Sequence, residues 1–280
     1  MKIIADSGST KTAWALIKES AVEYIIGQGI NPVVCDEQQI KEIIETDLVS
    51  HIAGMTVDEI YFYGAGCTSE KSIVVMQCLQ ELFGNDCEVV VGSDMLGAAR
   101  ALYGDKPGVA CILGTGSNSC YYDGRHIVDN VPALGFILGD EGSGAYIGKR
   151  LVGDMFKRQF DDELYDCFIK ETGLTMAMVI ENVYRQPLPN RFLASLTKFC
   201  HTHREHPQMK DFLVDCFSEF VRRNISGYKK LAVENSVGFV GSVAYYFRDE
   251  LNSALTRHGY ALGQVLKSPI EGLVDQFLRK

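Results

Sequence analysis

The sequence predicts an α/β protein made of two related halves, and three observations predict it. Short apolar runs bounded by small polar residues alternate with helix-spaced segments from residue 2 onward. The order of elements that opens the chain restarts at residue 108. In each half the first strand runs into a Gly/Ser/Thr turn, Asp6-Ser7-Gly8-Ser9-Thr10 in one and Gly114-Thr115-Gly116-Ser117 in the other.

The first half opens as a three-stranded meander. Lys2–Asp6 is an apolar run that reads as a buried strand, and Thr12–Lys18 and Ala21–Gly27 follow it. Residues 36–52 carry Ile40, Ile43, Ile44, Leu48 and Ile52 at helical spacing, Glu59–Tyr63 is a strand, and 69–83 is a helix with Ile73, Met76, Leu79 and Leu82 on one face. Glu88–Val91 is a strand that stops at Gly92-Ser93-Asp94, where a helix over 95–103 begins. Gly104-Asp105-Lys106-Pro107-Gly108 marks the boundary, which gives domains of 1–106 and 107–280. The second half repeats the meander with Gly108–Leu113, Asn118–Asp123 and His126–Asn130. It then inserts helices over 142–172, 175–185, 189–204 and 209–233, and closes with a strand at Ser236–Val240, a helix over 243–257, a strand at Tyr260–Leu266 and a helix over Pro269–Lys280.

Composition narrows the function classes. A net charge of −9 with no basic stripe argues against nucleic acid or an anionic membrane as partner. A phosphate ligand would therefore be held by backbone N–H groups and a metal ion. The nine cysteines form no CxxC pair and sit in apolar stretches, as buried reduced thiols do, and no apolar run approaches a membrane span; a cytoplasmic protein is expected. Cys200-His201-Thr202-His203 with His206 has the look of a metal site, but its spacing matches no standard zinc motif. It is expected to be a solvated helix end before Pro207.

The residues that carry chemistry gather at the two turns. In Asp6-Ser7-Gly8-Ser9-Thr10-Lys11-Thr12, small residues let backbone approach a phosphate, hydroxyls and Lys11 can donate to its oxygens, and Asp6 is placed to hold Mg²⁺ through water. The turn Gly114-Thr115-Gly116-Ser117-Asn118 has the same chemistry. Neither is a dinucleotide fingerprint or a P-loop. Two such hairpins in duplicated halves point to a triphosphate held from both sides. Asp94, after a strand and before a helix, is either a helix N-cap or a carboxylate aimed at a ligand at the strand ends. Gly139-Asp140-Glu141-Gly142-Ser143-Gly144 opens a helix with acidic residues that suit its dipole. Asn31 and Asn118 read alone as turn residues.

These motifs resemble the sugar kinase, heat-shock 70 and actin superfamily over nearly the whole chain. More narrowly, they are similar to the N-acetylglucosamine kinase group of the family that also holds the ATPases activating benzoyl-CoA reductase. The resemblance rests on Asp6–Thr12, Gly29-Ile30-Asn31-Pro32, Gly64-Ala65-Gly66, Ser93-Asp94, Gly114–Asn118, Gly135–Gly144 and Val240-Gly241-Ser242. It departs at Ser7, where glycine is usual, and at Pro132-Ala133-Leu134, which lacks the polar or cysteine residues of some relatives. It implies two duplicated ribonuclease H-like domains of the actin/hexokinase type with an interdomain cleft and a helical insertion in the second, the helix 268–280 packing back on the first. It further implies ATP-dependent phosphorylation of an amino sugar: N-acetylglucosamine first, with glucosamine and N-acetylmuramic acid as alternatives. Asp94 would then be the catalytic base. The phosphates would fall to Ser7, Gly8, Ser9, Thr10, Lys11, Thr12, Gly114, Thr115, Gly116 and Ser117, adenosine to Gly241 and Ser242, and the sugar to Asn31, Gly66, Asn118, Gly135 and Asp140. Mg²⁺ on Asp6 and a homodimer are compatible with this reading. Two other classes compete with it: an ATPase activator of a radical dehydratase or reductase, which needs closely set cysteines, and a non-catalytic sugar sensor.

Overall fold

The computed structural model describes residues 1–8, 10–19, 21–52, 54–231 and 236–278. Two compact units divide the chain: unit 1 comprises Met1–Lys106, Gly124–His126 and Ser268–Lys280, and unit 2 comprises Pro107–Asp123 and Ile127–Lys267.

Unit 1 is built on a five-stranded sheet of β1 (Lys2–Ser7), β2 (Lys11–Lys18), β3 (Ala21–Gln28), β4 (Glu59–Gly64) and β5 (Glu88–Ser93), in the order β3-β2-β1-β4-β5. The meander β1–β2–β3 is antiparallel, whereas β4 and β5 run parallel to β1. Parallel neighbours need crossover connections, which α1 (Glu37–Ile44) and α2 (Lys71–Phe83) supply. Ile3, Ala5, Trp14 and Leu16 point to one face of the sheet and pack with Ile40, Ile43, Ile44, Val75 and Leu79 in one core cluster. Trp14 is fully buried, 5.9 Å from Phe62 between ring centres. Helix α3 (Asp94–Tyr103) lies so close to β4 that a Cβ on Gly97 would meet the Tyr63 side chain at 2.7 Å. The last described helix, α13 (Pro269–Leu278), packs on α3, β1 and β2.

Unit 2 repeats the sheet. Strands β6 (Gly108–Leu113), β7 (Ser117–Tyr122), β8 (Ile127–Val131), β9 (Ser236–Val240) and β10 (Ala261–Leu266) are ordered β8-β7-β6-β9-β10, position for position the order of unit 1. Between β8 and β9 come α4 (Gly135–Leu138), α5 (Gly144–Phe156), α6 (Asp162–Thr172), α7 (Met176–Tyr184), α8 (Pro189–Ser195), α9 (Thr197–Thr202) and α10 (Pro207–Arg223); α11 (Ser242–Tyr246) and α12 (Arg248–Arg257) link β9 to β10. The aromatics Phe168, Phe212, Phe217 and Phe220 lie in the core of this unit.

Several helices differ from the sequence expectation. The segment 36–52 is α helix only to Ile44; Glu45–Val49 is a π turn, which lets the Asp47 carboxylate accept the Gln28 N–H (2.6 Å) over Gly27. On α2 the buried face is Val75, Cys78 and Leu79, and Ile73 is exposed. The helix expected over 142–172 breaks at Arg158, whose φ is +55°, and restarts where the Asp161 carboxylate accepts the Leu164 N–H. The segments 189–204 and 243–257 each divide in two, at Leu196 and Phe247. Pro207 starts α10 rather than preceding it, and Ile225–Leu231 is a 3₁₀ turn; 232 and 233 lie outside the described residues. Helix α4 was not expected.

Candidate functional site

In unit 1 the ends of the three parallel strands are level. Ser7 on β1 is opposite Gly64 on β4, and Gly64 is opposite Ser93 on β5. The carboxyl ends of parallel strands in an open α/β sheet are where ligands bind. Four loops converge there. The β1–β2 turn is closed by Gly8 N–H donating to Lys11 O (3.0 Å), with Thr10 and Lys11 exposed and room for a Cβ on Gly8, which would meet Lys11 O at 3.8 Å; Ser9 lies outside the described residues. The loop after β4 is tied to β1 by Ala65 N–H on Ser7 O (2.8 Å). The loop after β3 is tied by Ile30 N–H on Ser7 Oγ (2.9 Å), and Ser7 Oγ–H donates back to Ile30 O (3.0 Å). The fourth is the β5–α3 junction.

Two of the hydroxyls expected at the phosphate site are turned inward. Ser7 and Thr12 are buried, their oxygens 2.6 Å apart, and Thr12 donates to Gln28 O (2.8 Å). Both hydroxyls brace the turn from inside the sheet, so among the described residues the side chains exposed on its outer surface are Thr10 and Lys11. Ser7 adopts ordinary strand geometry, so replacing the usual glycine costs nothing in backbone strain.

Asp94 is not the N-cap of α3. Ser93 takes that position with extended backbone and accepts the Leu96 N–H (3.2 Å), while Asp94 is the first helical residue and accepts the Met95 N–H on Oδ1 (2.8 Å). Burial raises the Asp94 carboxyl above the usual carboxylate range, against hydrogen bonds from the N–H groups of Met95 and Asp94 itself. Burial also pushes the Asp6 carboxyl up to about 7, helped by the charge of Asp94 and opposed by Ser268, whose hydroxyl donates to Oδ2 (3.3 Å), and by Lys11. Asp94, whose charge raises the cost of ionising Asp6, and Asp6 together suit a hard divalent cation: Mg²⁺ takes few carboxylates and keeps much of its water.

Asn31 and Gly66 are brought together. Asn31 Oδ1 accepts the Val33 N–H (3.0 Å), and its carbonyl accepts from Val34 and Cys35. Gly66 has φ +78°, and a side chain there would overlap the Asn31 amide. The substitution would be both strained and blocked.

In unit 2 the β6–β7 turn is closed by Gly114 N–H on Gly116 O (2.9 Å). Its carbonyls also satisfy the start of α5: Gly144 N–H donates to Gly114 O (2.8 Å) and Ala145 N–H to Thr115 O (3.0 Å), while Ser143 Oγ caps Tyr146 N–H (3.1 Å). Asp140 is seated on this turn. It is buried, with φ +55°, and its Oδ1 accepts the Ser117 N–H (3.3 Å). Burial raises its carboxyl, opposed first by that Ser117 bond. Asn118 Oδ1 accepts from Ser119 N–H (2.9 Å) and Asn130 Nδ2 (3.0 Å). Gly135, with φ +72°, starts α4 after Leu134, itself at +63°, and faces open space.

At the end of β9, Gly241 has φ +122°, and a side chain there would run into Leu113 O; its N–H donates to Leu266 O (2.9 Å). The Gly241 corner therefore abuts the start of the β6–β7 turn. Ser242, exposed, lines a cavity of about 430 Å³ with Val243, Tyr246, Phe247, Lys198 and His201. The aromatic run after Ser242 was a visible signal for this cavity. The α9 residues carried none, being about forty positions away.

No family profile and no curated protein matches the sequence. Among solved structures, a Porphyromonas gingivalis protein provisionally named N-acetylglucosamine kinase is 42% identical over 100% of this chain and 99% of its own, with a TM-score of 0.94. A Chromobacterium violaceum protein of the same provisional name is 19% identical over 98% of each chain, at 0.70. A ROK family glucokinase from Streptomyces griseus, solved with glucose and AMPPNP, is 15% identical over 98% of this chain and 97% of its own, at 0.59. The last two show likeness of fold alone.

Proposed function

We propose that this chain, which belongs to the N-acetylglucosamine kinase-like sugar kinases of the actin-like ATPase superfamily, transfers the γ-phosphoryl group of ATP to a hydroxyl of an amino sugar. N-acetylglucosamine, giving its 6-phosphate and ADP, is the substrate we favour.

The observation that carries the reading is the β5–α3 junction. Because Ser93 caps the helix, the Asp94 carboxylate is released from that duty, and Asp94 directly follows Ser93, which is level with the ends of β4 and β1. Phosphoryl transfer asks the protein mainly for positioning, charge stabilisation and a group that takes the acceptor proton. Asp94 serves as that base: it orients the sugar hydroxyl and accepts its proton as the bond to phosphorus forms. Its raised pKa helps, since a base works best near the operating pH. The exposed Thr10 and Lys11, with the backbone of Gly8, hold phosphate oxygens, and the Gly114–Ser117 turn offers the same chemistry in unit 2. Asp6 would hold Mg²⁺ through water, and the ion when bound neutralises phosphate charge. Asn31, beside Gly66, Asn118, Gly135 and Asp140 are the residues we assign to the sugar. Gly241 and Ser242, with the cavity beside them, take the nucleoside. Nine free thiols suit the reducing cytoplasm, where we place the enzyme.

The test is a coupled ADP-release assay over N-acetylglucosamine, glucosamine, N-acetylmuramic acid, N-acetylmannosamine and glucose. The highest kcat/KM is expected with N-acetylglucosamine. Preference for unsubstituted glucose would refute the amino-sugar reading, and no sugar-dependent ADP release would refute the kinase reading.

A further inference from the structure

The Cys200-His201-Thr202-His203 segment does not act as one cluster. Cys200 is buried, His201 turns to Tyr246 and Phe247, and His203 turns the other way, to α6. There its Nε2 lies 2.8 Å from Glu171 Oε1. Cys167 stands one turn before Glu171 on α6, so both project to the same side of that helix. One ligand atom from each of Cys167, Glu171 and His203 lies within 4.8 Å of the other two.

We propose that Cys167, Glu171 and His203 form a three-ligand site for zinc or a similar borderline divalent transition-metal cation, clasping α6 to the end of α9. The imidazole is already oriented: its ring lies 4.4 Å from the ring of Phe199, and Phe199 is buried edge-on against Phe168 (5.2 Å). Bonds of about 2.3 Å to sulfur and 2.0–2.1 Å to nitrogen and oxygen put tetrahedral ligand atoms roughly 3.5 Å apart. The observed spread reaches that by a small swing of Glu171, which is exposed and free to make it. Sulfur and imidazole donors select zinc, cobalt, nickel or copper, and a lone carboxylate offers little to Mg²⁺. Three protein ligands leave the fourth position to water. Binding displaces the Cys167 thiol proton to solvent, and His203 ligates as neutral imidazole through the ring nitrogen that faces Glu171, with its one N–H on the other nitrogen. This site is independent of the kinase reading, since none of its residues belongs to the machinery described above.

The experiment is a Co²⁺ titration of the full chain after chelator treatment, followed by absorbance, then a Zn²⁺ chase. One equivalent of cobalt should raise a thiolate-to-cobalt charge-transfer band with the visible bands of four-coordinate cobalt, and Zn²⁺ should abolish both while millimolar Mg²⁺ does not. Cys167→Ser should remove the charge-transfer band, and Glu171→Gln and His203→Ala should each weaken cobalt binding by roughly tenfold or more. Cys35→Ser, at the other half-buried thiol, should change nothing. Far-ultraviolet circular dichroism and sugar-dependent ADP release verify that each variant is folded. No charge-transfer band in the parent at excess cobalt, or a band undiminished in either Cys167→Ser or His203→Ala, would overturn the proposal.

Discussion

Replacing Asp94 by asparagine separates catalysis from structure, and the junction geometry sets the size of each effect. Ser93 is the cap, so the substitution removes no capping bond. Asparagine keeps an Oδ1 acceptor for the Met95 N–H, and it removes a buried charge that raises the Asp6 carboxyl. Stability should therefore change by no more than about 0.5–1 kcal/mol, within the usual range for a replacement that keeps its hydrogen bond. Ser93→Ala is the converse control: it deletes the capping acceptor and should cost about 1 kcal/mol, without removing a proton acceptor. What asparagine cannot do is take the hydroxyl proton. Loss of a general base lowers turnover by on the order of 10²–10⁴, which is about 2.7–5.4 kcal/mol of barrier. The assay is steady-state ADP release with both substrates varied, alongside thermal unfolding. Asp94→Asn should show a low kcat with Michaelis constants near those of the parent and an unchanged melting temperature. An Asp94→Asn enzyme that is folded, saturable and nearly as fast as the parent would refute the assignment of the base.

Three further outcomes follow from the turns. Gly8→Val should leave thermal stability unchanged, because a Cβ there meets only Lys11 O at 3.8 Å, while ATP affinity measured by calorimetry falls; retained affinity would remove this turn from the phosphate site. Gly241→Ala should lower the melting temperature through a strain of about 1–3 kcal/mol at its positive φ, added to the overlap with Leu113 O, and an unchanged melting temperature would contradict the corner geometry. Asp140→Ala should cost about 1–3 kcal/mol by leaving the Ser117 N–H without its acceptor, and should raise the sugar Michaelis constant roughly ten- to a hundredfold more than that for ATP. Equal effects on the two substrates would confine Asp140 to the turn.

The strands were legible because each is a short apolar run stopped by small polar residues, and the two turns were legible because glycine, serine and threonine cluster so tightly in them. The inward direction of Ser7 and Thr12 was also readable. Period-two alternation puts Ser7 on the face of Ile3 and Ala5, and Thr12 on that of Trp14 and Leu16, all of which are core. The capping of α3 was harder. Serine and aspartate cap equally well, and which of two neighbours takes the extended backbone is decided by where β5 ends, a property of the sheet register. The breaks at Arg158, Leu196 and Phe247 depend on what each helix packs against, which periodicity along one segment does not carry. Helix α4 is a single turn, too short for any period to register. Distant partners such as His203 with Cys167 and Glu171 leave no mark in a linear pattern at all.

The return of α13 to unit 1 has a consequence for biosynthesis. Helix α3 and the first sheet emerge from the ribosome early, but the helix that covers them is made only after the whole of unit 2. At roughly 5–20 residues per second, the nascent first unit waits on the order of ten seconds or more with that face of α3 unsheltered. Buried positions of α13 such as Ile270, Leu273 and Val274 are the side chains it waits for. A ribosome stalled just after β10 would therefore hold a chain in which all ten strands have been synthesised, yet the sides of the first sheet and of α3 that α13 covers are bare, a species suited to capture by a chaperone.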